Sequence, residues 1–418
     1  MSEIIINGGK RLSGRVSVQG AKNSVLPVLA GTVLCGGESV VHNCPMLSDV
    51  ETSLKILEHL GCKCRREGGA VIVDSSGISE YDIPDSLMRE MRSSVVFLGA
   101  VIGRMGRAVI SSPGGCELGP RPIDLHLSAL ERMGVTITEE HGYLKCTAEN
   151  GLHGAEIHLG FPSVGATENI ILAAAAAEGV TVIHNAAKEP EISDLADFLN
   201  SAGARISGCG SDTVRIEGVK RLGGTEHTII PDRIVAATYM ACAAVTGGEI
   251  ELENVMPPHM VSLLWSFREC GCDISVSGKG LRLSAPERLR RIPTLRSLVY
   301  PGFPTDAGPV AVAMLASADG TSVFVENIFE NRYRYIDELN RFGTKIKTEG
   351  KTAVIEGVGE LSGAHAKATD LRGGAALVVA ALKAHGASEI GNTHHIERGY
   401  EKITERLSSL GADISYKR

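Results

Sequence analysis

GATENIILAAAAAEGVTVIHN, residues 165–185, decides the fold. Its first part is small and apolar on every side and ends at Gly179, which describes a helix buried all round and stopped by glycine. VTVIHN then has the β-branched character of a short strand. Five other stretches follow the same plan: AKNSVLPVLAGTVLCGG before ESVVHN, MRSSVVFLGAVIGRMG before RAVISS, DRIVAATYMACAAVTGG before GEIELEN, TDAGPVAVAMLASADG before TSVFVEN, and DLRGGAALVVAALKAHG before ASEIGN. Each pair is followed by an amphipathic helix, among them DVETSLKILEHLG, EISDLADFLNSAG and GYEKITERLSSLG, then by one or two more strands. The chain is therefore a unit of roughly seventy residues repeated six times.

Six helices buried on all sides cannot share one centre, but two groups of three can. The expected fold is α/β: two domains of three repeats, each an inside-out α/β barrel with inner helices surrounded by sheets and outer helices. We place the domains at residues 21–229 and at residues 1–20 plus 230–418, with the N-terminal strand returning to the second domain and an active site in the cleft between them. The short links GRVSVQG, GAEIHLG, GTEHTIIP and GAHAKAT join the units.

Composition narrows the function. The 418 residues are 43% hydrophobic and 22% charged, as in a globular protein, and only 4% aromatic. A net charge of −7 without a basic run argues against a nucleic-acid surface. MSEIIINGG lacks the character of a signal peptide and no apolar run is long enough to span a bilayer, so the expected location is cytoplasmic. The ten cysteines form no disulfide framework. Cys62 and Cys272 occupy a slot filled by Ala, Val or Thr in other units, so the CxC pairs read as packing rather than metal ligands. Met46, Met133, Met240 and Trp265 are expected in the core on the same reasoning.

Two features point to chemistry. SPGGCELGPRPIDLH, residues 112–126, sets Cys116 in a glycine-rich turn with Arg121 close by, which favours a thiolate or an anionic ligand. An ordinary turn with a packing cysteine is the other reading. The second feature is the polar first turn of each otherwise apolar inner helix: Lys22 and Asn23, Arg92, Ser163, Arg233, Asp306, and Asp370 with Arg372. Helix N-termini carry unpaired N–H groups and partial positive charge. With Arg121 and Arg398 added, the set makes an anion trap in an acidic protein. For Arg233 and Asp370 a capping or surface role competes with a functional one. Asp306 among cations suits a group that orients or deprotonates a hydroxyl.

GAKN (20–23), PGGCELGPRPIDLH (113–126), PSVGATEN (162–169), FPTD (303–306), FENRY (329–333), ATDLR (368–372) and HIERGYE (395–401) resemble the UDP-N-acetylglucosamine 1-carboxyvinyltransferases, in order and nearly end to end. The resemblance implies transfer of the enolpyruvyl group of phosphoenolpyruvate to the 3′-hydroxyl of UDP-N-acetylglucosamine with release of phosphate, the first committed step of peptidoglycan synthesis. It implies no metal or organic cofactor, and a cleft that closes on the sugar nucleotide. By position, Lys22, Asn23, Arg121 and Arg398 would hold phosphoenolpyruvate. Cys116 would donate a proton, form a covalent adduct and react with an epoxide phosphonate such as fosfomycin. Asp306 would handle the hydroxyl proton. Arg92, Arg121, Pro122, Ile123, Asp124, Leu125, Ser163, Val164 and Ile328 would bind the UDP-sugar, with Asp370 and Arg372 completing the site. Val235, Phe161 and Gly308 depart from the family's pattern. The alternatives are a catalytically weak or regulatory paralogue that binds UDP-N-acetylglucosamine, and the sister transferase acting on shikimate 3-phosphate, which lacks the cysteine loop.

Overall fold

The computed structural model describes residues 3–111, 123–278 and 280–417. They fall into two compact units, one of residues 20–111 with 123–230 and one of residues 3–19 with 231–417. Among the described residues there are six four-stranded sheets, all built to one plan. A short edge strand runs parallel to the strand that follows an inner helix, and two antiparallel strands complete the sheet. Thus Glu156–His158 lies beside Val180–His184, followed by Thr213–Glu217 and Arg205–Ser207.

In the unit of residues 20–230 the first sheet takes its edge strand from the end of the segment, Glu226–Thr228 against Glu38–His42. In the other unit the chain's beginning supplies two strands. Ser13–Ser17 is the edge of the sheet containing Glu249–Glu253, and Ile4–Asn7 lies between Ala387–Gly391 and Asp413–Tyr416.

Inside each unit the inner helices pack on one another. Lys22–Gly31, Phe97–Met105 and Val164–Ala174 share one core; Arg233–Val245, Gly308–Leu315 and Leu371–Lys383 share the other. Every residue from Ile234 to Val245 is buried. Close approach relies on small residues. A Cβ at Gly99 would fall 2.3 Å from the Asn169 carbonyl oxygen of the neighbouring inner helix, so only glycine fits there.

A repeated device ends the strand after the inner helix. Asn43, Asn185, Asn254 and Asn392 each follow that strand in left-handed conformation, with φ from 53° to 59°. Each donates its side-chain amide to the carbonyl just past the parallel edge strand: Ile229 at 2.8 Å, Leu159 at 2.8 Å, Val18 at 2.7 Å and Ala368 at 3.4 Å. The asparagine so locks the two parallel strands together at the end where the chain turns toward the outer helix.

Two core expectations need correction. Met133 and Met240 are fully buried, but Met46 is 58% and Trp265 56% exposed. Helix Val261–Glu269 buries Leu263, Leu264 and Phe267, which continues a stripe begun by Met260, and Trp265 lies off that stripe on the side of exposed Val261. No helix among the described residues is long and apolar enough to cross a membrane.

Candidate functional site

In the unit of residues 20–230, Lys22 and Asn23 open the first inner helix. The Lys22 ammonium lies 2.7 Å from the Asp49 carboxylate, with the lysine side chain 12% and the aspartate 3% exposed. One turn on, Ser24 donates to the Asp194 carboxylate, which also meets His227 Nε2 at 2.9 Å and accepts from the Ile230 amide at 3.4 Å. The helix start that carries Lys22 is thus fixed by two buried carboxylates from outer helices Ser48–His59 and Pro190–Ser201.

Three further elements meet at one side chain. Arg92 begins the 3-10 turn Arg92–Val96, Asp124 begins helix Asp124–Arg132, and Ser163 caps helix Val164–Ala174 by accepting from the Ala166 amide at 3.3 Å. Asn169, fully buried, donates to the Val95 carbonyl at 3.1 Å and to His126 Nδ1 at 2.8 Å, and accepts from the Gly99 amide at 2.7 Å. It therefore ties together the elements bearing Arg92, Ile123–Leu125 and Ser163–Val164. Burial, reinforced by the charge of Arg92, pushes the His126 imidazole down to about 4, so at neutral pH its Nδ1 is a lone-pair acceptor. Glu168 on the same helix is raised well above the usual carboxyl range by burial and then by Glu191 and Glu189.

In the other unit Asp306 sits in the 3-10 turn Thr305–Ala307 ahead of inner helix Gly308–Leu315. Arg332 Nη2 donates to Asp306 Oδ1 at 3.1 Å; Arg372 donates to Oδ2 from Nε at 3.3 Å and from Nη2 at 3.2 Å. Both guanidinium side chains are almost wholly buried while Asp306 is 27% exposed, so a carboxylate backed by two cations faces outward. Arg372 Nη1 reaches the Tyr400 hydroxyl at 3.2 Å, which in turn meets Thr238 Oγ1 at 3.0 Å. Ile328 follows the buried carboxylate of Glu326, which accepts from its amide at 2.8 Å. Arg398 ends the short helix His394–Glu397, and the backbone beyond it is clamped by Gln19, which donates to the Gly399 carbonyl and accepts from the Glu401 amide.

Some sequence candidates have a plain structural task. Asp370 caps helix Leu371–Lys383, accepting from the amides of Arg372 and Gly373 at 3.0 and 2.9 Å, and Asp232 caps helix Arg233–Val245. Cys116, Arg121 and Pro122 lie outside the described residues. Of the departures, Phe161 is 46% exposed and Val235 is fully buried in its helix; a side chain at Gly308 would meet the Phe324 ring at 2.9 Å. Sequence reasoning missed Asp49, Asp194, Asn169, Arg332 and Tyr400. Arg332, Asn169 and Tyr400 fall within the quoted FENRY, PSVGATEN and HIERGYE segments, but nothing in one chain separates a residue facing the site from one supporting it.

A family model described as EPSP synthase (3-phosphoshikimate 1-carboxyvinyltransferase) matches residues 6–407. In fold the chain is similar to the enolpyruvyl transferase NikO from Streptomyces tendae, with a TM-score of 0.89, 24% identity and coverage of 100% of this chain and 99% of that one. It is similar also to EPSP synthase from Acinetobacter baumannii, with a TM-score of 0.78, 20% identity and full coverage of both. The fold class is therefore that of the two-domain enolpyruvyl transferases. The sequence relatives narrow this further. UDP-N-acetylglucosamine 1-carboxyvinyltransferase 2 of Caldanaerobacter subterraneus subsp. tengcongensis is 51% identical over 99% of each chain. UDP-N-acetylglucosamine 1-carboxyvinyltransferase 1 of Symbiobacterium thermophilum is 48% identical over 98% of this chain and 94% of its own. The chain belongs to the UDP-N-acetylglucosamine 1-carboxyvinyltransferase family.

Proposed function

We infer that this protein is a transferase that moves the enolpyruvyl group of phosphoenolpyruvate to the 3′-hydroxyl of UDP-N-acetylglucosamine, releasing phosphate, at the start of peptidoglycan synthesis. The observation that carries this reading is identity of 51% over essentially the whole length with a relative of that name.

In this reading Lys22, Asn23, Arg121 and Arg398 take the phosphate and carboxylate of phosphoenolpyruvate. Arg92, the run Arg121, Pro122, Ile123, Asp124 and Leu125, Ser163, Val164 and Ile328 take the UDP-sugar. The reading treats residues 21–229, and residues 1–20 with 230–418, as two domains that each supply part of the site. Cys116 gives a proton to the methylene carbon while the sugar hydroxyl adds to the adjacent carbon, forming a tetrahedral ketal. Asp306 orients that hydroxyl and receives its proton. Loss of phosphate together with a methyl proton then leaves the enol ether. Cations placed around a developing charge lower the barrier because their arrangement is fixed before the reaction, and the paired guanidiniums behind Asp306 supply that rigidity.

The test is phosphate release from phosphoenolpyruvate with UDP-N-acetylglucosamine present or replaced by shikimate 3-phosphate. Release that depends on the sugar nucleotide and is lost in Cys116→Ala is expected. Release with shikimate 3-phosphate alone would reassign the acceptor, and none with either would reduce the protein to a binding paralogue.

A further inference from the structure

One sheet breaks the asparagine rule. In the sheets whose inner strands are Glu38–His42, Val180–His184, Glu249–Glu253 and Ala387–Gly391, the next residue is the left-handed asparagine described above. After Thr321–Val325 the slot holds Glu326, and the asparagine is displaced by one position to Asn327. The strand lock itself survives, because Asn327 Nδ2 still donates at 3.0 Å to the carbonyl of Ser297, the residue just past edge strand Thr294–Arg296. Glu326 is thus an extra residue that the sheet does not need.

Its side chain is buried, 1% exposed, and accepts from four donors. Oε1 takes Ser297 Oγ at 2.8 Å and the amides of Ile328 and Phe329 at 2.8 and 3.1 Å; Oε2 takes Thr305 Oγ1 at 2.8 Å. Ser297 Oγ itself accepts from the Asn327 amide at 2.9 Å, which fixes the direction of its proton. One carboxylate therefore joins the turn carrying Ile328 to the turn in which Thr305 precedes Asp306. A buried carboxylate is costly to keep unless fully satisfied, and a departure from a local rule is expected where function requires it.

We propose that Glu326 is a positioning residue for the transfer reaction: it sets the Asp306 turn and the Ile328 backbone in register with each other. This rests on the reading of the site given above. Asp306 is held from behind by Arg332 and Arg372, whereas Glu326 fixes the backbone from which it projects.

The experiment compares Glu326→Asp, Glu326→Gln and Thr305→Val with the unmodified chain, measuring thermal melting, kcat for phosphate release and Kd for UDP-N-acetylglucosamine. Thr305→Val cuts only the arm to Asp306, so kcat falls about tenfold while Kd stays within about twofold, since small misplacements of a reacting group are costly in rate. Glu326→Asp keeps the charge but is one methylene short of both arms, so kcat falls at least about tenfold and Kd rises by about threefold or more. Glu326→Gln keeps the reach: its amide oxygen accepts from the backbone amides and Thr305 can turn its hydroxyl to accept, so it stays near the unmodified chain. Glu326→Asp and Thr305→Val both retaining kcat within twofold, or Glu326→Gln losing as much as Glu326→Asp, would overturn the proposal. If the unmodified chain releases no phosphate, the functional reading falls instead, and the contrast in Kd between the Asp and Gln variants still decides the role of Glu326.

Discussion

Asp306 shows how a single residue can be both structural and chemical. Its carboxylate is the partner of two guanidiniums that are almost wholly buried, so removing it strands two cations away from water. Asp306→Ala is expected to cost about 3–5 kcal/mol of stability in its unit, while Asp306→Asn, which keeps shape and one acceptor, is expected to fold and to lose turnover by at least about a hundredfold. Calorimetric melting and the phosphate assay check the two halves, and an active Asn variant would remove Asp306 from proton handling. Cysteine reactivity is a second matter at this scale. Among the nine free cysteines described, eight (Cys35, Cys62, Cys64, Cys146, Cys209, Cys242, Cys270 and Cys272) have thiols pushed up to about 11 or 12, chiefly by burial. A thiolate is the nucleophile, so these are inert near neutral pH. An epoxide phosphonate should therefore add its mass to the tryptic peptide containing Cys116, and label on any of those eight would contradict the reading. At this scale the sequence revealed charged residues at helix starts, because polar groups beside an apolar run are visible in one dimension. It did not reveal Asp49 or Asn169, whose significance is their distance to Lys22 and to His126 across long stretches of chain.

At the level of elements, the repeat was legible because each unit must bury the same inner helix, and burial on all sides leaves a run with almost no charge. The beginnings of those helices were harder to read. Arg92–Val96 and Thr305–Ala307 are 3-10 turns that precede the helix proper, and the amphipathic segment RYIDELNRFG divides into Arg332–Tyr335 and Ile336–Asn340. Apolar periodicity does not distinguish a 3-10 from an α turn over so few residues. The asparagine lock was present in the strand endings HN, EN and GN, but its partner carbonyl comes from an edge strand that can lie more than 180 residues away, as with Asn43 and Ile229. Substitution at Asn254, with φ of 54° and a 2.7 Å bond to the Val18 carbonyl, separates the two contributions of the lock. Asn254→Gly tolerates the left-handed backbone and loses the hydrogen bond, about 1 kcal/mol. Asn254→Ala loses the bond and strains the backbone as well, a further 1–2 kcal/mol or about that. Denaturant midpoints giving equal losses would show that conformation contributes nothing there.

For the molecule as a whole, two buried groups in one unit set opposing responses to pH. His126 has an ordinary pKa of 6.5, depressed to about 4 in the folded state, first by burial and then by Arg92. Between those values the unfolded chain binds the proton and the folded one does not, so this group's contribution is complete above 6.5 and is lost as pH falls, on the order of 3 kcal/mol in all. Glu168 behaves in the opposite sense. Its pKa is raised well above the ordinary 4.5 by burial, then by Glu191 and Glu189, so its contribution is complete below 4.5 and is lost as pH rises through the raised value. Where the windows overlap, each slope is about one proton and the two cancel. The unmodified protein should therefore show little net dependence from this pair, and each variant should expose the other group. Glu168→Gln should become more stable as pH rises from 4.5 to 6.5, and His126→Gln less stable over the same interval. Tryptophan fluorescence would report on the wrong unit, because the chain's one tryptophan, Trp265, belongs to the other. Amide hydrogen exchange in helix Val164–Ala174, which carries Glu168 and the Asn169 partner of His126, reads the right one. Parallel pH curves for the three proteins would mean that neither group changes its proton affinity on folding; slopes of opposite sign would establish that a buried acid and a buried base balance one another in the unit that carries Lys22.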